Sequence, residues 1–195
     1  MKHTSSRQVF EYWNERRGFR AAPERGDIEP GPIRRALGDT FILAQDAEGI
    51  FRFRLAGTRT CALFCGELKA TDFIDLWTEA ERPGMLELVA AVAGECAGFI
   101  AGASALNADG ATLELEMLLL PLKHRDPLQT RLLGVLAPAE PPYWLGVTPV
   151  KDLTCGTVRH LGADSGHIAA PQLVPGTETG RIRRGLIVYE GGRSL

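Results

Sequence analysis

The apolar residues of this chain change period at Phe41, and that change restricts the fold more than any single residue does. Before it, Val9, Tyr12 and Trp13 recur at helical spacing in a segment that Ser5 or Ser6 can cap and Gly18 can stop, which predicts a helix over 6–17. Pro23, Gly26 and Asp27 mark a loop, and Pro30-Gly31-Pro32 leads into a short second helix that ends at Gly38. After it, Phe41-Ile42-Leu43-Ala44 and the alternating Phe51-Arg52-Phe53-Arg54-Leu55 read as two strands joined by the Ala47-Glu48-Gly49 turn. The helical period returns over 58–77, broken at Gly66 and around 69–72. It returns again in a longer helix over 83–96, whose stripe is Met85, Leu88, Val89, Val92 and Cys96. Strands resume at 99–107 and 112–122 across Asp109-Gly110, and once more at 130–137. Prolines within 138–142 stop the last of these, and Tyr143-Trp144-Leu145 is a candidate start for a further strand. The order strand, strand, helices, strand, strand, strand is satisfied by one five-stranded antiparallel sheet with the intervening helices on one face. This is an α+β fold and not a doubly wound one.

Residues 1–39 then read as an N-terminal helical lead-in, 40–160 as the domain proper, and 161–195 as a C-terminal tail. The tail is expected to be largely flexible, because 162–180 combine Gly, Ser, Pro and Thr without periodicity. With 45% apolar and 24% charged residues the chain is not a disordered one. A formal charge of −2 gives it no global basic field, so nucleic acid and anionic membrane are not expected partners. The charge is uneven: 8 basic against 5 acidic side chains in 1–35, 10 against 16 in 36–160, and 4 against 3 in 161–195. An acidic body with mildly basic ends points to a protein surface as partner. Four cysteines in a chain this long make no disulfide framework, and no apolar signal-peptide core follows the first residues. The apolar run 88–106 carries Glu95 near its middle, which argues against a membrane span. A reduced, cytoplasmic protein is expected, with no room in 195 residues for an output domain of its own.

Particular residues narrow the fold. The run from Leu55-Ala56-Gly57-Thr58-Arg59 to Phe64-Cys65-Gly66-Glu67-Leu68 resembles the segment that leaves the second strand of a PAS domain. There an aromatic residue and Gly commonly precede a Glu-Leu pair. Asp72-Phe73-Ile74-Asp75-Leu76-Trp77 resembles the short helix before the PAS connecting helix. More closely, the chain is similar to the single-domain PAS family of alphaproteobacteria, formerly a domain of unknown function. The shared strings are Phe10-Glu11-Tyr12-Trp13 with Arg17-Gly18, Asp27-Ile28 with Pro30, and Phe51-Arg52-Phe53-Arg54-Leu55-Ala56-Gly57-Thr58-Arg59. Leu118-Leu119-Leu120-Pro121-Leu122 and Pro142-Tyr143-Trp144-Leu145-Gly146 complete them, so the resemblance covers roughly residues 7–160. The chain departs from the family at Cys65-Gly66, where Gly and Arg are usual.

The resemblance implies a sensory or interaction module with a small cavity between sheet and helices, and no catalytic residues. The expected pocket is Arg59 at its mouth with Leu63, Phe64, Trp77, Met85, Val89 and Val92 inside. Core packing explains the apolar six equally well, and a salt bridge explains Arg59. The expected interaction residues are Tyr12 and Trp13 on the first helix, facing a second copy or the chain's own core, and Arg52 and Arg54 on an edge strand. No cofactor is expected: the Asn-Cys-Arg motif of flavin photoreceptors is missing after Glu67-Leu68, and 69–123 contain no histidine for a haem. No metal is expected either, since Cys61 and Cys65 at i and i+4 supply only two ligands. The function these features imply is non-catalytic bacterial signalling (two-component, motility or cell-cycle control), dependent on a small ligand or constitutive. The expected partners are a second copy of the chain and a signalling protein such as a histidine kinase or its regulator. The alternatives are a small isomerase-like cone enzyme, for which Tyr12, Asp39 or Glu95 would have to serve, and a carrier of an apolar metabolite.

Overall fold

Alternating strands pair with their sequence neighbours wherever a short turn allows it, and the main sheet contains two such hairpins. Strands β1 (Thr40–Gln45) and β2 (Phe51–Ala56) form one, and β3 (Gly98–Asn107) and β4 (Thr112–Leu122) the other. In the computed structural model, which describes residues 1–95, 97–123, 130–161, 181–183 and 186–188, they join β5 (Arg131–Pro138) and β6 (Val150–Leu161). The result is one antiparallel sheet of order β2-β1-β5-β4-β3-β6. The first five strands match the expected ones to within a residue or two. The sheet nevertheless has six strands, not five. The sixth lies at 150–161, while Tyr143-Trp144-Leu145 forms a turn. Two register shifts interrupt the pairing of β3 with β6, and Asp152 sits at φ 36, so the apolar residues of β6 do not alternate as a regular strand requires.

One face of the sheet, here the inner face, is covered by the crossover. It comprises α2 (Thr58–Leu63), a single 3-10 turn (Ile74–Leu76) and α3 (Arg82–Glu95). Period-two alternation turns Phe41, Leu43, Phe51 and Phe53 toward these helices, where they meet Phe73, Trp77, Met85, Val89 and Val92. Ring centroids of Phe41 and Phe73, and of Phe73 and Trp77, are 5.8 and 6.0 Å apart, within the range of favourable aromatic pairs. The run 88–106 is divided between α3 and β3, and among the described residues no helix is long and apolar enough to cross a membrane.

The opposite, outer face is covered in part by α1 (Thr4–Arg17). Its Val9, Tyr12 and Trp13 pack on Ile42, Ile100, Leu118, Leu120, Leu133 and Val135, which alternate with the inner-face residues of the same strands. The N-terminal helix is therefore a layer of the domain. It begins at Thr4, and its cap is the His3 imidazole, whose Nδ1 accepts from the Ser5 N–H at 3.1 Å. The expected short helix before Gly38 is a run of turns ending in a 3-10 turn over Leu37–Asp39. Beyond Leu161 the described residues form one more antiparallel pair, β7 (Arg181–Arg183) and β8 (Leu186–Val188), which is a sheet of its own. The expectation of a flexible tail falls mostly outside the described residues.

Candidate functional site

The apolar residues expected around a pocket do come together. Leu63, Trp77, Met85, Val89 and Val92 belong to one cluster and are each at most 1% exposed, with Phe64 packed at its border. They fill the inner core together with the phenylalanines of β1 and β2. One polar atom is left over: the Trp77 indole Nε1 is buried with no hydrogen-bond partner among the described residues. A buried N–H without a partner is uncommon in native interiors.

Arg59 is not part of that cluster. Its Nε donates to Asp39 Oδ1 at 2.6 Å, and a terminal nitrogen donates to Asp39 Oδ2 at 2.7 Å and to the Arg35 carbonyl at 3.0 Å. The hydrogen bond to Asp39 raises the guanidinium further above its ordinary value, against a smaller desolvation cost. Asp39 is 2% exposed and also accepts from Ser5 Oγ at 2.6 Å. One carboxylate thus ties the first turn of α1, on the outer face, to the first turn of α2, on the inner face. The junction requires Gly57, because a Cβ there would collide with the carbonyls of Leu37 and Gly38. An isomerase-like arrangement finds no support in it. Asp39 is occupied by Arg59 and Ser5, while the Tyr12 hydroxyl donates to the Asp27 carbonyl and accepts from the Glu29 N–H. The Glu95 side chain lies outside the described residues.

The expected interaction residues divide. Tyr12 and Trp13 are 6% and 4% exposed within a single chain, and Trp13 Nε1 donates to the Pro121 carbonyl at 2.8 Å. They bury α1 on the sheet and offer almost no surface to a partner. Arg52 and Arg54 stand on β2, an edge strand as expected. Arg52 Nε donates to Asp46 Oδ2 at 2.9 Å, whereas Arg54 is exposed and makes no ion pair among the described residues.

A second region escaped the sequence reading. The outer face of β3, β4 and β6 forms a groove of about 840 Å³ beside the segment that leads into α1. Its floor is Gly102, where an added Cβ would meet nothing within 4 Å. Glu116 borders it and accepts from the Lys2 and His3 N–H groups at 2.6 and 3.0 Å, which fixes the approach to α1. Glu114 and Thr154 are exposed along it, and the Arg159 Nε is buried there without a partner among the described residues. Burial, and then the charge of Glu81, push the neighbouring Cys155 thiol up, which keeps it protonated and unreactive at neutral pH. The available sequence signal was Gly102 and Gly156 inside strands, positions where another backbone or a ligand can approach closely. Among the described residues no group of three or more His, Cys, Asp or Glu could hold a metal ion.

Among solved structures the chain is similar to the PAS domain of a protein from Colwellia psychrerythraea, at 15% identity, covering 54% of this chain and 92% of that one with a TM-score of 0.38. No curated protein matches. A family model described as a PAS domain matches residues 1–137, which include α1 and the first five strands bar the last residue of β5. The chain belongs to the PAS domain family, and so to the sensory and signalling modules built on that fold.

Proposed function

We propose that this PAS module acts without catalysis, by binding another protein through the groove on the outer face of β3, β4 and β6. The observation that carries the reading is the contrast between its two candidate sites. The expected pocket is filled by its own side chains, whereas the groove is open, has a glycine floor and holds an arginine nitrogen with no partner among the described residues. A signalling protein such as a bacterial histidine kinase or its regulator, in the cytoplasm, is the partner this reading expects, and a second copy of the chain is the other. Arg52 and Arg54, on the far edge of the same face, would add a basic border.

Gly102→Gln tests the groove. The open space above Gly102 accepts a side chain without a clash, and leaving glycine costs a strand nothing. Proteins captured from a lysate of the source cells by the parent chain, and identified by mass spectrometry, are expected to be lost by Gly102→Gln at unchanged thermal stability. Capture that survives the substitution would remove the groove from the reading.

The buried Trp77 N–H, which has no partner among the described residues, favours a second reading, in which a small ligand enters the inner core and regulates that binding. Native mass spectra of the freshly purified protein separate the two. A mass lost on denaturation supports the ligand, and a spectrum of the bare chain or its dimer supports constitutive interaction.

A further inference from the structure

The two edges of the main sheet are finished differently. The edge at β2 is closed by the chain itself: the Phe53 N–H donates to the Thr71 carbonyl at 3.0 Å, the Ala70 N–H to the Phe53 carbonyl at 2.8 Å, and the Phe73 N–H to the Phe51 carbonyl at 3.0 Å. Among the described residues the edge at β6 is engaged only at Leu153, whose carbonyl accepts from the Thr78 N–H at 3.1 Å beside a parallel bridge to Trp77. From Thr154 to Leu161 the outer edge of β6 has no main-chain partner among the described residues. Eight residues of open edge without a proline are a template for another strand.

The same chain carries a strand pair in the complementary situation. β7 and β8 pair at Arg181↔Val188, Ile182↔Ile187 and Arg183↔Leu186, and among the described residues they join no larger sheet. A two-stranded hairpin alone is marginally stable in water at best and gains stability by joining further strands. We propose that β7–β8 is the segment that completes the open edge of β6, by strand addition.

The length of chain before the hairpin allows it. The linker 162–180 can span on the order of 60 Å when extended, far more than the return to β6 requires. The docked hairpin would extend the sheet alongside the groove. The edge can be completed in this way whether or not the groove binds a partner, so the two proposals fail separately.

Hydrogen exchange on the full chain tests the inference, with Ile182→Pro and Ile187→Pro as variants in the same full chain. Either proline removes a main-chain donor from the middle pair of the hairpin and leaves β1–β6 untouched. In the parent chain, alternate amides from Thr154 to Leu161 should exchange at least on the order of tenfold more slowly than in both variants, with β4 and β5 unchanged. If that protection grows with protein concentration together with a dimeric mass, the hairpin comes from a second copy; if it does not, it folds back on its own β6. Amides at 154–161 that exchange at the same rate in parent and variants, whether fast or slow, would overturn the proposal.

Discussion

The two faces of the sheet are packed by opposite means. The inner face is held chiefly by apolar contact, with Phe41, Phe53, Phe73 and Trp77 in a chain of ring contacts, and polar ties such as Arg59 to Asp39 and Arg82 to the Trp77 carbonyl lie at its border. The outer face is held by an apolar patch under α1 and polar ties around it: Asp39 at one end of the helix, Glu116 under the residues before it, and the Trp13 indole on the Pro121 carbonyl. Close packing makes the inner face intolerant of change, since every side chain there is a neighbour of several others. The outer face leaves parts of β2, β3 and β6 uncovered, where a substitution can alter recognition at little cost in stability. The largest expected effect therefore belongs inside. Phe73→Ala, which removes a ring in contact with Phe41, Phe53 and Trp77, should cost about 3–5 kcal/mol in urea denaturation. A cost below about 1.5 kcal/mol, the range of volume-conserving swaps, would mean that the inner face is loosely packed and has room for a ligand.

The next effect tests the outer layer. Asp39→Ala strips Ser5 and Arg59 of their shared acceptor, and hydrogen bonds to a charged group are worth about 1.5–3 kcal/mol each in buried settings. The Arg59 side chain is 44% exposed and regains water, which places the total toward the lower end of that range. The loss should also be local: exchange of the α1 amides should accelerate more than that of β4 and β5. If Asp39→Ala destabilises every strand equally, α1 is part of a single cooperative unit and the distinction between the layers disappears.

Much of the inner layer was legible in the sequence, because its signal is local. Phe51-Arg52-Phe53 states which side chains face in, and Asp109-Gly110 states where β3 turns into β4; the structure places both accordingly. The outer layer was legible as elements and not as an arrangement. Val9, Tyr12 and Trp13 read as an apolar helix face, yet nothing local distinguishes a face buried on its own sheet from one kept for a partner. Asp39, Ser5 and Arg59 lie 34 and 20 positions apart, so their junction has no sequence signature short of the fold itself. The groove was missed for the same reason that β6 was, since bulges and a positive φ at Asp152 erase the period by which a strand is recognised.

The strained backbone at Cys65 gives a smaller effect. Cys65 lies just beyond α2, exposed and at φ 50, in the left-handed region that disfavours any side chain with a Cβ. Cys65→Gly relieves the left-handed strain and should stabilise the chain by about 0.5–1 kcal/mol, a rise of roughly 1–4 °C in Tm. A fall in Tm would show that the thiol makes a contact worth more than the strain it causes.

The smallest effect concerns the β2 edge of the outer face. Asp46, at the turn between β1 and β2, is held below its ordinary value of 3.8 first by the Arg52 guanidinium and then by the Ile50 and Glu48 N–H groups. A carboxylate whose value is lower in the folded chain than in the unfolded one stabilises the fold fully at neutral pH. That contribution begins to fall as the unfolded chain takes up its proton near 3.8 and is gone once the pH drops below the folded value. Asp46→Asn should therefore leave a flatter loss of stability between neutral and acid pH than the parent shows, and the difference should shrink in high salt because the pair is exposed. Superimposable acid limbs would mean that Asp46 does not hold Arg52 in solution. The Arg52 side chain would then join Arg54, leaving two arginines on β2 without an ion pair and open to an acidic partner.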